Sequence, residues 1–214
     1  MIRAYAKEYL DDAMRNLGEA MDYARECHHL DLDTFLSLFI ATNLAREFGH
    51  GAPRIVSGIS GTELVLETLR LSGLSSKNPP APQRCYDLSS AYWCGWILAF
   101  TQWRSGRSFR EIHSLLTIKE LERLYPTLHE TGEDRSADSI EKILLARQPV
   151  TKLQNKRKLC HLTQKELSEK AGLNLRTLQQ YETRAKDINH AAGETLLSLS
   201  KVLSCRMDDL LEYS

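Results

Sequence analysis

Residues Leu162–Arg184 read LTQKELSEKAGLNLRTLQQYETR, and the fold of the C-terminal part of the chain follows from them. Thr163 stands just before an apolar-periodic run and Glu166 follows three residues on. That is the pattern of a capping box, in which each residue's side chain satisfies the backbone of the other. The spacing predicts a helix over Gln164–Lys170 that stops at Ala171-Gly172, because Gly enters the left-handed C-cap conformation without a Cβ penalty. Asn174 is placed to cap a second helix whose buried stripe is Leu178 and Tyr181, with Leu173 packing from the turn. Two short amphipathic helices joined by a tight turn are the result.

Working outward, Leu153, Lys156, Arg157 and Leu159 predict a helix before the pair. Glu194–Leu203 and Met207–Leu211 predict two more after it. The residues Thr163-Gln164, Glu166-Leu167, Ala171-Gly172 and Tyr181-Glu182 resemble the lambda-repressor/Cro-like, or XRE-type, family of bacterial regulators. The resemblance implies a five-helix domain whose second motif helix enters the major groove of double-stranded DNA, as a homodimeric repressor does. It implies roles as well. Gln164 contacts phosphate and braces the recognition helix, while Asn174, Arg176, Thr177 and Gln180 take the groove-facing positions. Arg176 suits guanine O6/N7, and Gln180 suits adenine N6/N7 or acts as a second brace. Arg157 and Glu182 match the family's buried inter-helix ion pair, and Lys156, Lys158 and Lys186 are phosphate candidates. In one place the chain departs from the pattern. Where the family has Gly two residues after the Glu and Pro a little later, this chain has Arg184 and Ile188, which predicts a longer or differently shaped turn.

The charge distribution agrees with that assignment. The 214 residues carry 28 Lys/Arg and 28 Asp/Glu. Val150–Lys186 holds nine Lys/Arg against three Asp/Glu, a net of +6, whereas Met1–Pro149 holds 17 against 20, a net of −3. A basic patch confined to the helix pair is what phosphate binding requires, since Lys and Arg displace condensed counterions. The five cysteines (27, 85, 94, 160 and 205) are scattered without a C-x-x-C pair, which suits reduced core thiols in a cytoplasmic protein. No signal peptide is recognisable. The longest apolar run, Ala91–Phe100, is too short to span a bilayer, so a soluble chain with no membrane partner is expected.

Upstream, Leu10, Met14, Leu17, Met21 and Ala24 recur at helical spacing and predict one helix over Arg3–Glu26. Cys27, His28, His29, Asp31 and Asp33 could suggest a metal. Adjacent histidines rarely converge on one ion, however, and a polar turn with Asp33 or Thr34 capping the next helix is expected instead. That helix covers Thr34–Phe48. In GAPRIVSGISG (Gly51–Gly61) the glycines flank Ser60 at the wrong spacing for a nucleophile elbow, and no P-loop ending follows. Ser60 with Glu63 is a capping box for Thr62–Leu71. The prolines of Ser75–Gln83 forbid a helix. Tyr86, Tyr92, Trp93, Trp96, Phe100 and Trp103 then form the densest aromatic segment; the last four fall at i, i+3, i+7 and i+10, on one helical face. Gly95 inside this helix permits close packing. Ser108 with Glu111 opens a helix to Leu115, Ile118–Leu124 forms another, Gly132–Asp138 is a hydrophilic loop, and Ile140–Ala146 leads to a boundary at Pro149.

The expected fold is all-α, with a helical domain over 1–148 and the DNA-binding domain over 149–214. The stretches MRNLGEAMDYA, SGISGTEL and YWCGWILAFTQW are similar to a helical domain found with XRE-type proteins of gut Firmicutes that look like antitoxins. The resemblance implies a repressor that autoregulates its operon while its first domain captures a toxin. Trp93, Trp96 and Trp103 are the candidate partner surface, because aromatic anchors are enriched in binding hot spots. The alternative is a ligand-responsive repressor with no toxin partner. No paired carboxylates and no Cys/His or Ser/His arrangement has recognisable spacing, so no enzyme, no cofactor and no metal is expected.

Overall fold

A computed structural model describes residues 3–82 and 89–212, so Gln83, Cys85 and Tyr86 lie outside the described residues. The fold is all-α, with no strand among the described residues, and the chain divides into two compact units, Met1–Gln148 and Pro149–Ser214. The first unit contains α1 (Leu10–Glu26), α2 (Leu32–Ala41), α3 (Asn43–Gly49), α4 (Pro53–Val56), α5 (Gly61–Leu71), α6 (Ser90–Ser105), α7 (Phe109–Leu115), α8 (Ile118–Glu122), α9 (Tyr125–Leu128) and α10 (Glu133–Arg147). The second contains α11 (Lys152–Leu159), α12 (Gln164–Ala171), α13 (Leu175–Glu182) and α14 (Gly193–Val202).

The first unit is built on the crossing of α1 with α6. A Cβ on Gly95 would lie 2.2 Å from the Leu17 carbonyl oxygen and 2.8 Å from Gly18 Cα. The two backbones therefore touch, which only glycine allows. The rest of α6 is covered almost all round, from Ala91 to Trp103. Burial also pushes the Cys94 thiol up to about 12, the signature of an inert core thiol.

Local capping sets most helix starts. Ser60 with Glu63, Ser108 with Glu111 and Thr117 with Glu120 each form a complete capping box. Four sequence expectations are corrected, two of them by long-range contacts. Helix α1 begins at Leu10 rather than Arg3, because the Ala4 N–H donates to the Trp103 carbonyl and Trp103 Nε1 donates to the Tyr5 carbonyl at 2.8 Å. These bonds tie the leading segment to the end of α6. The helix expected over Thr34–Phe48 is two helices, broken at Thr42, whose backbone is extended and whose hydroxyl turns back to the Phe39 carbonyl. The segment Gly132–Asp138 is the start of α10 and not a loop. Arg104 on α6 pairs with Asp134, Asp138 and Glu141, drawing that acidic stretch onto the core. The loop Gly51–Gly61 contains the short helix α4.

The polar cluster after α1 is taken up by structure. Asp31 caps α2 by accepting from the Thr34 N–H at 2.9 Å. Asp33 instead accepts from the Ile118 and Lys119 amides at 2.6 and 3.1 Å and meets His113 Nε2 at 2.9 Å. His28 packs edge-on against Tyr23, and Cys27 Sγ donates to the Ala81 carbonyl.

In the second unit Leu153, Leu167, Leu178, Tyr181, Ile188, Leu199, Leu203 and Leu210 form one core. Its expected last helix is shorter than the apolar pattern suggested, a single 3-10 turn at Met207–Asp209 following Ser204 in the left-handed region.

Candidate nucleic-acid interface

The pair α12–α13 forms as its sequence dictates. Thr163 N–H donates to Glu166 Oε2 at 2.7 Å while the Glu166 N–H donates to Thr163 Oγ1 at 3.2 Å. Gly172 takes φ 64° and ends α12, and Asn174 Oδ1 accepts from the Arg176 N–H at 2.8 Å to open α13. The inner side of α13 is then locked. Arg157 on α11 makes a two-pronged contact with Glu182, Nε to Oε1 at 2.6 Å and Nη2 to Oε2 at 2.9 Å, and both residues are buried. Gln164 Nε2 also donates to Glu182 Oε2 at 2.8 Å, and Arg157 Nη1 donates to the Leu162 carbonyl. Hydrogen bonding to Glu182 holds the Arg157 guanidinium above its ordinary pKa. A bidentate pair braced by a further bond on each side fixes an orientation better than any single contact can.

With its inner side fixed, α13 turns the other side outward. Asn174 and Arg176 are exposed, Thr177 and Gln180 half-buried. Asn174 spends its side-chain oxygen on the cap, which leaves its amide nitrogen for an outside partner. The lysines differ in their surroundings. Lys158 is exposed, Lys156 Nζ sits 3.6 Å from Asp209 Oδ2, and Lys186 lies 5.4 Å over the Tyr181 ring. Gln164, half-buried, makes the bracing bond to Glu182.

Leu175 and Glu212 carry no role in the sequence pattern, and Arg184 stands out there only as a departure from the family. Leu175 is 38% exposed at the first position of α13, off the buried stripe and beside Arg176. The signal for it was an apolar side chain directly after the cap residue. Arg184, which stands where the family has Gly, itself takes the left-handed conformation, φ 57°, and its guanidinium donates to the Pro149 carbonyl at 2.8 Å and to Glu212 Oε2 at 3.2 Å. These two anchors hold the turn. Glu212 Oε1 also accepts from the Lys152 N–H at the start of α11. Nothing local to Glu212 signals either bond.

The partner surface proposed on α6 is reduced by burial. Trp93 and Trp103 are 9% and 4% exposed, covered by Tyr125 and by the Ala4–Tyr5 segment, so neither is offered to a partner of the folded chain. Trp96 alone stays half-open. Among the described residues no group of three or more His, Cys, Asp or Glu side chains converges as a metal site, and no helix is long and apolar enough to cross a membrane.

A capped helix pair with one braced, outward-facing helix in a basic unit defines a helix-turn-helix DNA-binding domain, and residues 153–210 match the family model described as helix-turn-helix. That stretch is similar to the lambda-repressor/Cro-like, XRE-type helix-turn-helix, a DNA-binding module of transcriptional regulators. The match covers the second unit only. Neither a curated protein nor a solved structure matches the chain.

Proposed function

We propose that the protein is a sequence-specific repressor, dimeric and without catalytic activity, that reads its operator through Arg176, Thr177 and Gln180 on α13. The observation carrying this is the clamp of Arg157, Glu182 and Gln164 on the inner side of α13 with Arg176 exposed on the outer side. A base-reading side chain discriminates only when its helix is held in register, and phosphate contacts then add affinity without sequence information. Lys158 is best placed for phosphate, with Gln164, Lys156, Lys186 and the free amide of Asn174 as secondary contacts.

For the first unit the ligand-responsive reading is favoured over toxin capture. The burial of Trp93 and Trp103 removes two of the three anchors on which the toxin-binding reading leaned, and a small-molecule-sized recess opens beside the third.

The test uses a duplex selected from a random-sequence library with the full chain. Arg176→Ala should cost about 1–3 kcal/mol on the selected site and relax preference at one position. Lys158→Ala should weaken selected and unrelated duplexes alike and flatten the salt dependence by about one unit. Fluorescence anisotropy over a salt series measures both. Equal, sequence-independent losses for the two variants would overturn the base-reading assignment.

A further inference from the structure

A recess of about 390 Å³ opens between α6, α9 and the start of α10. Its walls are mostly rings: Tyr92 and Trp96 stack with centroids 5.9 Å apart, Trp93 meets Tyr125 edge-on at 5.6 Å, and His129 stacks on Tyr125 at 4.5 Å. One charged group completes it, the Glu133 carboxylate, whose Oε1 accepts from Trp96 Nε1 at 3.4 Å. Among the described residues no Lys or Arg lines the recess. The two hydroxyls at its floor, Thr131 Oγ1 and Ser136 Oγ, lie 2.7 Å apart and both reach the Leu128 carbonyl, so one donates to the carbonyl while the other donates either to it or to its neighbour.

We propose that this recess is a binding site for a small organic cation of the quaternary ammonium class, held by the rings of Tyr92 and Trp96 with Glu133 as counter-charge. Aromatic faces carry negative quadrupole potential, so ring walls with a carboxylate and no Lys or Arg among the described lining residues favour a positive guest over a neutral or anionic one. An alkylated ammonium suits such walls because its charge is spread over apolar methyl groups and needs few hydrogen bonds, and the floor offers few. The volume sets the size, since roughly 300 Å³ is the lower end for small-molecule pockets and this recess is only a little larger. The chemistry explains a feature the fold alone leaves unused, a half-open tryptophan whose indole is pinned to a carboxylate at the mouth of a cavity. The inference deepens the ligand-responsive reading. Its test measures binding without DNA, so its failure would leave the helix-turn-helix assignment untouched.

Choline and its uncharged tert-butyl analogue, in which carbon replaces the quaternary nitrogen, are titrated into the full chain at constant ionic strength. Calorimetry and tryptophan emission are both recorded. Choline should bind saturably and change the emission, with the uncharged analogue roughly tenfold weaker or worse. Glu133→Gln, nearly isosteric and at an exposed position, should weaken choline several-fold while leaving the analogue unchanged. Trp96→Ala should abolish saturable binding, and Trp96→Phe should restore part of it, with circular dichroism confirming that each variant is folded. Equal affinity for the two probes, no saturable binding of choline, or a Glu133→Gln protein that binds choline like the wild type would each overturn the proposal.

Discussion

Arg184 shows how one residue can hold a conformation its chemistry disfavours. A left-handed backbone costs an L-residue about 1–2 kcal/mol. Here that cost is offset by two anchors on the guanidinium, the Pro149 carbonyl and Glu212. The two contributions separate by substitution. Arg184→Gly loses the anchors but relieves the backbone, while Arg184→Ala loses the anchors and keeps the strain. Allowing for the extra freedom of Gly in the unfolded chain, the Ala variant should be the less stable by about 1 kcal/mol. Urea denaturation of both proteins reads the difference. Equal midpoints would mean that the turn is held open by something other than Arg184's own backbone.

Elements meet most tightly where α1 crosses α6. Gly95→Ala would push a methyl group against the Leu17 carbonyl, a backbone atom that cannot swing aside. The helices would have to part, so a loss of about 3 kcal/mol or outright unfolding of the first unit is expected. Gly193→Ala supplies the control. That position opens α14 in free space and should gain roughly 0.5 kcal/mol. Thermal melts followed by circular dichroism distinguish them, and a harmless Gly95→Ala would show that the crossing is looser than its geometry. This is also the scale at which the sequence is most and least legible. The capping boxes at Ser60, Ser108 and Thr163 involve residues three apart, and each forms as spelled out. The break at Thr42, the late start of α1 and the helical Gly132–Asp138 segment depend on packing or on partners such as Trp103 and Arg104, far away in the chain, so no local pattern announces them. The recognition-helix clamp was legible only because Arg157 and Glu182 matched a known arrangement. The Trp96 recess was not legible at all, since helical spacing put four aromatic residues on one face without saying which of them the chain itself would cover.

At the scale of the whole molecule, each unit has its own apolar core, eight buried side chains in the second and a larger set around α1 and α6 in the first. Residues 149–214 should therefore fold when expressed alone, although a domain this small buries little surface and is expected to hold only about 3–5 kcal/mol. A cooperative thermal transition in circular dichroism checks it. A fragment with no transition would mean that the second unit needs the first to complete its fold.

The bare-backbone contact between Gly95 and Leu17–Gly18 also bears on descent. A protein changes by single steps that must each leave a working molecule, and at this crossing the first step is already too large. Substitutions should therefore be tolerated less at this axis than on the outer helices α9 and α10, whose side chains wall the recess at Trp96. An aligned set of descendants should then show a constant glycine at the crossing and differing side chains around the recess.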